Sequence, residues 1–251
     1  MNPSPVSIVM PVHNAEAVLE ETVKSVLEQS FGDYELIMVE DASTDGSRDL
    51  MYKLAGEDSR IKVLVNEGEH GAAHARNMGI KAAKGRYLAY LDADDLWHKD
   101  KLKKTLRFMQ ERDASFVFTA YEFGDENAKG TGRVVHVPKE LDYAHALTRT
   151  IIFTSTVILD LDKLGKKKVL MPPVPSEDTA SWWRILRSGV SACGLDENLV
   201  TYRRAGKSLS SNKLVAVKRI WYLYRRQAHL DLIKSVFCMF GWGWRALARR
   251  I

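Results

Sequence analysis

Cysteine is scarce: Cys193 and Cys238 are the only two, far apart, with no metal-type spacing around them. This excludes a disulfide scaffold or a zinc module and leaves free thiols in a reducing compartment as the simplest expectation. Also missing is any run of the roughly 18 apolar residues that a membrane span needs. The opening MNPSPVSIVMPVHN has no basic segment ahead of a long apolar one, so no secretory signal is expected and the cytoplasm is the expected location. No G-x-x-x-x-G-K-[ST], G-x-G-x-x-G or G-x-S-x-G occurs, which argues against P-loop, dinucleotide and nucleophile-elbow chemistry. Internal repeats and low-complexity tracts are absent as well.

Acidic residues are almost missing from one region. Residues 213–251 hold nine Lys/Arg against one Asp. That local +8, set against +5 for the whole chain, leaves residues 1–212 at −3. Basic character confined to a tail does not make a nucleic-acid surface, and no recognition motif for nucleic acid stands out. A tail of this kind suits an anionic partner, a membrane surface among them.

What the chain does have is ordinary globular composition, 45% hydrophobic and 27% charged, and strict alternation in its first half. VSIVMPV (6–12), YELIMVED (34–41), IKVLVN (61–66), RYLAYLD (86–92) and ASFVFTAYEF (114–123) read as strands. Helical patterns separate them at 15–30, 43–58, 71–85 and 98–112. The third is expected to close on Gly85 as a C-cap. Near-continuous apolar strands separated by helices predict an α/β fold, a mostly parallel central sheet flanked by helices. The second half is looser: turns with a short strand at 124–140, a strand and helix at 154–164, the Pro-rich MPPVPSED, the helix TASWWRILRSG and the strand NLVTYRR. Two helical stretches, 212–226 and 230–250, end the chain.

In parallel sheets, ligands bind beyond the carboxyl ends of the strands. PVHN, EDASTD and DADD each follow a strand and should meet in one crevice. Asp92 and Asp94, alternate residues on an extended segment, are hard oxygen donors that suit Mg²⁺ or Mn²⁺ bound with a substrate diphosphate. Taken alone they also suit a solvated strand end with helix caps. Asp41 can accept from a base or a ribose, or cap the next helix, a task for which Asp45 is better placed. Arg76, in HARNMG, can pair with phosphate or orient the aspartates, or stand on the helix surface. The His13 ring can lie near a base or belong to a structural loop. Glu177 and Asp178 stand at a loop-to-helix junction, where a carboxylate can be swung over the crevice as a general base or simply favour the helix dipole.

The order and spacing of SIVMPVHNAE, VEDASTDGS, GAAHARNMGIKAAKGRYLAYLDADD and SEDTASWWRIL resemble the family 2 glycosyltransferases of GT-A fold over roughly residues 5–210. The continuation SLSSNKLVAVKRIWYLYR is similar to the subgroup that builds teichuronic acid and other cell-envelope polysaccharides. The resemblance implies inverting transfer of a hexose-type sugar from a UDP-sugar to a hydroxyl of a glycan or lipid-linked acceptor. It also implies a nucleotide-sugar-binding half at 1–123 and an acceptor and catalytic-base half at 124–211, followed by a basic amphipathic tail at 212–251. Pro11, His13 and Asp41 fall where the family holds the nucleoside, and His13 stands where tyrosine is more usual. Arg76 falls near the diphosphate, Asp92 at ribose or metal-bound water, and Asp94 at the metal, Mn²⁺ or Mg²⁺. Asp178 falls at the catalytic base. Ala205 stands where many relatives carry a histidine near the metal, which leaves Arg203, Arg204 or Lys207 to supply positive charge. Two rival readings stay open: transfer to a polyprenyl phosphate, and a non-catalytic nucleotide-sugar-binding protein.

Ile233, Val236/Phe237, Phe240, Trp244, Leu247 and Ile251 recur at three- or four-residue intervals beside Lys234, Arg245, Arg249 and Arg250. Such a helix suits peripheral contact with an anionic membrane, at the inner face of the cytoplasmic membrane, or packing against the core.

Overall fold

In the computed structural model, which describes residues 5–204 and 213–248, the first half alternates strand and helix as its sequence predicts. The elements are β1 (Val6–Val12), α1 (Glu16–Leu27), β2 (Tyr34–Glu40), α2 (Ser47–Glu57), β3 (Ile61–Val65), α3 (Ala72–Ala82) and β4 (Tyr87–Tyr90). Then come β5 (Leu96–Trp97), α4 (Lys101–Glu111), β6 (Phe116–Gly124), β7 (Gly130–Val135), β8 (Glu140–Leu141) and α5 (Tyr143–Leu147). A 3₁₀ turn (Thr154–Thr156) leads to β9 (Ile158–Asp160), α6 (Leu161–Leu164), α7 (Lys166–Val169), α8 (Glu177–Arg187) and β10 (Ala192–Arg203). The described tail is α9 (Lys213–Tyr222), a π-helical turn (Leu223–Gln227) and α10 (Leu232–Ala248). No described helix is long and apolar enough to cross a membrane.

One sheet organises the molecule, in the order β3-β2-β1-β4-β9-β6-β10-β5, with β7 on β6 and β8 on β10. β1 to β4 are parallel neighbours. β9 enters antiparallel between β4 and β6, which restores β6 and β10 to the direction of β1. Six strands therefore run one way, as the sequence predicts, while β5, β7, β8 and β9 run against them. β2 is buried along its whole length and β1 nearly so. Successive side chains point to opposite faces. Ile8 and Met10 join one core with Leu19 and Leu102, while Val9 joins the other with Ile80 and Trp182.

Two glycines set how closely α3 and its exit lie on the sheet. A Cβ on Gly79 would stand 2.5 Å from Val9 Cγ1, so α3 rests directly on β1. The sequence predicts Gly85 as the helix C-cap, but α3 ends at Ala82 and is capped at Ala83. Gly85 serves a close approach instead: a Cβ there would meet the Ser7 backbone nitrogen at 2.7 Å. Its own N–H donates to Ser7 Oγ at 2.8 Å.

The adjacent tryptophans of α8 split the work of docking it. Trp182 lies on the sheet against Tyr90 and Phe116. Trp183 faces the other way and stacks on Tyr224 of the π turn, centroids 5.3 Å apart, and the Tyr224 hydroxyl donates to the Leu147 carbonyl at 2.5 Å. The tail is thus fastened to the helix whose first turn carries Asp178.

Candidate active site

The three polar clusters meet at the carboxyl ends of β1, β2 and β4. Asp41, one residue past β2, is buried. Its carboxylate accepts from Asn66 Nδ2 at 2.8 Å, the Gly71 N–H at 2.8 Å and His70 Nδ1 at 3.1 Å. Burial pushes this carboxyl up, but the three donors outweigh it and hold the group below its ordinary range. Asp41 is therefore not the helix cap. Gly46 is the capping residue of α2, and Asp45 stands just before it, with Oδ1 accepting from the Ser47 N–H and hydroxyl. The exposed His13 donates through Nδ1 to the Asp41 carbonyl at 2.7 Å. Partly buried Pro11 lies on β1 just before it. Pro11, His13 and Asp41 thus share one edge of the crevice.

Arg76 stands at the centre. Its position on α3, one turn before the tightly packed Gly79, buries it to 6% exposure. Nη2 donates to Asp92 Oδ1 and Nη1 to Glu177 Oε1, each at 2.6 Å. Among the described residues, Nε finds no hydrogen-bond partner. Burial opposes the charge, but Asp92 and then Glu177 more than compensate, so the guanidinium is cationic. One side chain thereby ties the end of β4 to the start of α8. Glu177 itself is pushed up by burial and by Asp178, against the pull of Arg76.

The turn after β4 sorts its aspartates by exposure. Asp92 is partly exposed, Asp94 exposed and Asp95 fully buried. Loss of water to the surrounding protein and then the Asp92 charge push the Asp94 carboxyl up to about 6. Asp95 faces inward, accepting from Ser155 Oγ at 2.5 Å and the Arg203 N–H at 3.2 Å. Burial, then Asp94 and Asp92, raise its carboxyl well above the usual range. Asp95 is local support. Ser155 holds the turn twice, since its hydroxyl also accepts from the Asp92 N–H at 3.1 Å.

Arg203 is placed differently from what its charge suggests. Its nitrogens donate to the Asp94 carbonyl, the Glu126 carbonyl and Glu21 Oε2 at 2.7, 2.9 and 2.5 Å. Buried and fully engaged, it braces the aspartate turn from behind instead of offering charge to a ligand. Arg204 lies over the Phe123 ring. Ala205 and Lys207 fall outside the described residues.

Asp178 sits half-buried in the first turn of α8. Oδ2 accepts from Thr154 Oγ1 at 3.1 Å, and Oδ1 from the Thr179 N–H at 2.6 Å. The Pro-rich loop before it is pinned at both ends by consecutive residues of α3. Asn77 exchanges two bonds of 2.7 Å with the Met171 backbone, and Arg76 holds Glu177. Thr154, Ser155, Asn66 and His70 carry no signal in the sequence. They act only through partners brought near by the fold.

Among the described residues, no three His, Cys, Asp or Glu side chains gather as a metal cage. The donor set fits a different arrangement. Two neighbouring carboxylates, one raised by loss of water and then by the other's charge, match Mg²⁺ or Mn²⁺ that takes its remaining oxygens from water and a substrate diphosphate.

Comparison with known proteins agrees with this geometry. The profile of glycosyl transferase family 2 matches residues 7–166. A Bacillus subtilis (strain 168) protein assigned to teichuronic acid biosynthesis as glycosyltransferase TuaG is 40% identical over 247 residues, covering 98% of this chain and 97% of its own. The Escherichia coli UDP-Glc:alpha-D-GlcNAc-diphosphoundecaprenol beta-1,3-glucosyltransferase WfgD is 37% identical over 86% of this chain and 83% of its own. Among solved structures, Staphylococcus aureus TarS 1–349 in complex with UDP-GlcNAc superposes with a TM-score of 0.69 at 20% identity, over 94% of this chain and 71% of that one. The mannosyltransferase PcManGT of Pyrobaculum calidifontis, in complex with GDP-Man and Mn²⁺, superposes with 0.70 at 18% identity, over 90% and 65%. These two likenesses establish the GT-A fold.

Proposed function

The chain belongs to glycosyl transferase family 2, and we propose that it moves a hexose-type sugar from a UDP-sugar to a hydroxyl of a lipid-linked oligosaccharide or cell-surface polysaccharide precursor, with inversion at the anomeric carbon. That it is a glycosyltransferase follows from the family. The choice of donor and acceptor draws on TuaG and WfgD, whose names specify an envelope polymer and a diphosphoundecaprenol acceptor. The single observation that carries the mechanism is Arg76 bridging Asp92 and Glu177 at 2.6 Å. It couples the diphosphate end of the crevice to the turn that holds Asp178.

In this reading residues 1–123 bind the nucleotide sugar and 124–211 hold the acceptor and the base. Pro11, His13 and Asp41 take the nucleoside, with Asp41 kept ionised as an acceptor. Asp94, with Asp92, would hold the divalent cation, which when bound neutralises the charge that develops on the departing diphosphate. Arg76, cationic and buried, adds to that neutralisation and fixes the Asp92 carboxylate. Asp178, oriented by Thr154, takes the proton of the acceptor hydroxyl as its oxygen attacks the anomeric carbon. The bond from that carbon to the diphosphate breaks on the opposite side, and UDP leaves with the bonding electrons.

The test is a donor screen with Mn²⁺ and a sugar-diphosphopolyprenol acceptor, following UDP release and product anomer. A product of inverted configuration from a UDP-sugar is expected. Turnover that uses polyprenyl phosphate and survives Asp178→Asn would replace this acceptor assignment, and UDP binding without turnover would replace the enzyme reading.

A further inference from the structure

α10 is docked by its mixed face and leaves its apolar face outside. Ser235 and Cys238 are buried and Met239 and Trp242 partly so, with Trp242 Nε1 donating to Thr150 Oγ1 at 2.9 Å. On the opposite side Ile233, Phe237, Phe240 and Trp244 are 83%, 75%, 76% and 75% exposed. Their spacing of four, three and four places them in one stripe. Isolated exposed apolar residues are ordinary, but a contiguous aromatic row marks an interaction surface.

Beside the stripe lies an open recess of about 470 Å³, lined by Lys218, Trp221, Tyr222, Arg225 and Arg226. Trp221 also lines the apolar groove formed by Val236, Met239, Phe240, Gly243 and Trp244. The cationic recess and the apolar stripe are therefore one continuous surface with Trp221 at their join. Arg225 is oriented there by donation to the Leu230 carbonyl. Lys218 and Arg226 are exposed. Lys234 adds a further cation beside the stripe, 3.8 Å from Asp231, the one acidic side chain of the tail.

The geometry points to a docking face for an anionic phospholipid bilayer, in which the α10 stripe enters the acyl boundary and the Lys218–Arg225–Arg226 recess takes a lipid phosphate. Charge selects this occupant. A second copy would bring its own cations against these, whereas anionic headgroups neutralise them while aromatic side chains settle at the interface. The face also lies near the base. Trp242 rests on Thr150, and Thr154, which holds Asp178, is four residues on, a span of at most about 14 Å along extended chain. Docking itself does not depend on the reaction proposed above; only its value for a lipid-linked acceptor rests on that reading.

The experiment is flotation of the full chain with vesicles of phosphatidylcholine alone or with phosphatidylglycerol, at two salt concentrations, beside sedimentation velocity without lipid. Binding should require phosphatidylglycerol and weaken with salt. Phe237→Ser with Phe240→Ser should lower it at least about tenfold, and Lys218→Gln with Arg226→Gln about fivefold for each cation removed. Quenching of tryptophan fluorescence by brominated lipid, reduced in Trp244→Phe, would place the stripe in the bilayer. UDP binding, unchanged in every variant, serves as the folding control and is read separately from docking. Equal binding to both vesicle types, no binding to either, or a dimer that Phe237→Ser with Phe240→Ser abolishes would overturn the assignment.

Discussion

Arg76 Nη1 donates to Glu177 Oε1 at 2.6 Å across 101 residues of sequence, while Nη2 of the same guanidinium holds Asp92. The guanidinium is buried while Asp92 and Glu177 keep 25% and 20% exposure, so losing the cation strands two partly buried carboxylates. Arg76→Met should lower unfolding stability by about 3–5 kcal/mol, the usual cost of breaking a buried pair. Arg76→Lys keeps the charge but not the fork, and should recover only part of it. Urea unfolding measures both. Variants as stable as the parent would mean that the bridge does not hold the site together.

Thr154 Oγ1 donates to Asp178 Oδ2 at 3.1 Å and so positions the proposed base. Thr154→Val should lower kcat roughly five- to tenfold, in line with about 1 kcal/mol for one hydrogen bond, and leave the donor KM unchanged. Thr154→Ser should restore most of the loss. A donor KM that rises with kcat constant would instead make Thr154 part of the donor site.

Gly79 decides how closely α3 approaches β1. Gly79→Ala should destabilise by about 1–3 kcal/mol, because its Cβ would overlap Val9. Combining it with Val9→Ala should cost less than the two changes added, a coupling that a double-mutant cycle reads directly.

Glu35 fixes the acid limb of stability. Its carboxylate accepts from Ser7 Oγ at 2.5 Å, Lys62 Nζ at 2.5 Å and the Lys84 N–H at 2.8 Å. Burial raises its pKa, but these donors together bring it below the ordinary value. A depressed folded-state pKa gives stability that is present above the unfolded pKa and lost as pH falls through the folded one. The stability gap between the parent and Glu35→Gln should therefore be constant near neutrality and close as pH drops through the glutamate range. A gap that widens on acidification would contradict this sign.

Much of this was readable in one dimension, for local reasons. β1 to β4 and the helices between them announce themselves because their buried strand residues are mostly apolar, Ser7, Glu35 and Glu40 excepted, and the helices carry one-sided stripes. Asp41, Asp92 and Asp94 stand out because charge at the end of a buried strand needs an explanation. Pairings set by distant contacts were not readable. β9 enters between β4 and β6, and nothing in ILD specifies the neighbour. Ser155 and Thr154 are plain hydroxyls until the fold brings them to residues 92, 95 and 178. Gly85 looks like a cap because it follows a helix, yet it is required by the backbone of Ser7. Arg203 looks like a free cation until Glu21, Glu126 and Asp94 surround it. The loop before Asp178 looks mobile from its prolines, but Asn77 and Arg76 pin both ends.

The most direct measurement is UDP release with a lipid-linked acceptor, comparing the parent, Asp94→Asn and Asp178→Asn across a Mn²⁺ titration. Parent turnover should require the metal and vanish with chelator. Asp94→Asn should weaken the metal response, because one of two carboxylate donors is lost. Asp178→Asn should bind the UDP-sugar normally and lose about 10²- to 10⁴-fold in kcat, the range for a positioned base. Full activity in chelator, or an Asp178→Asn enzyme as fast as the parent, would contradict metal-assisted transfer with Asp178 as the base.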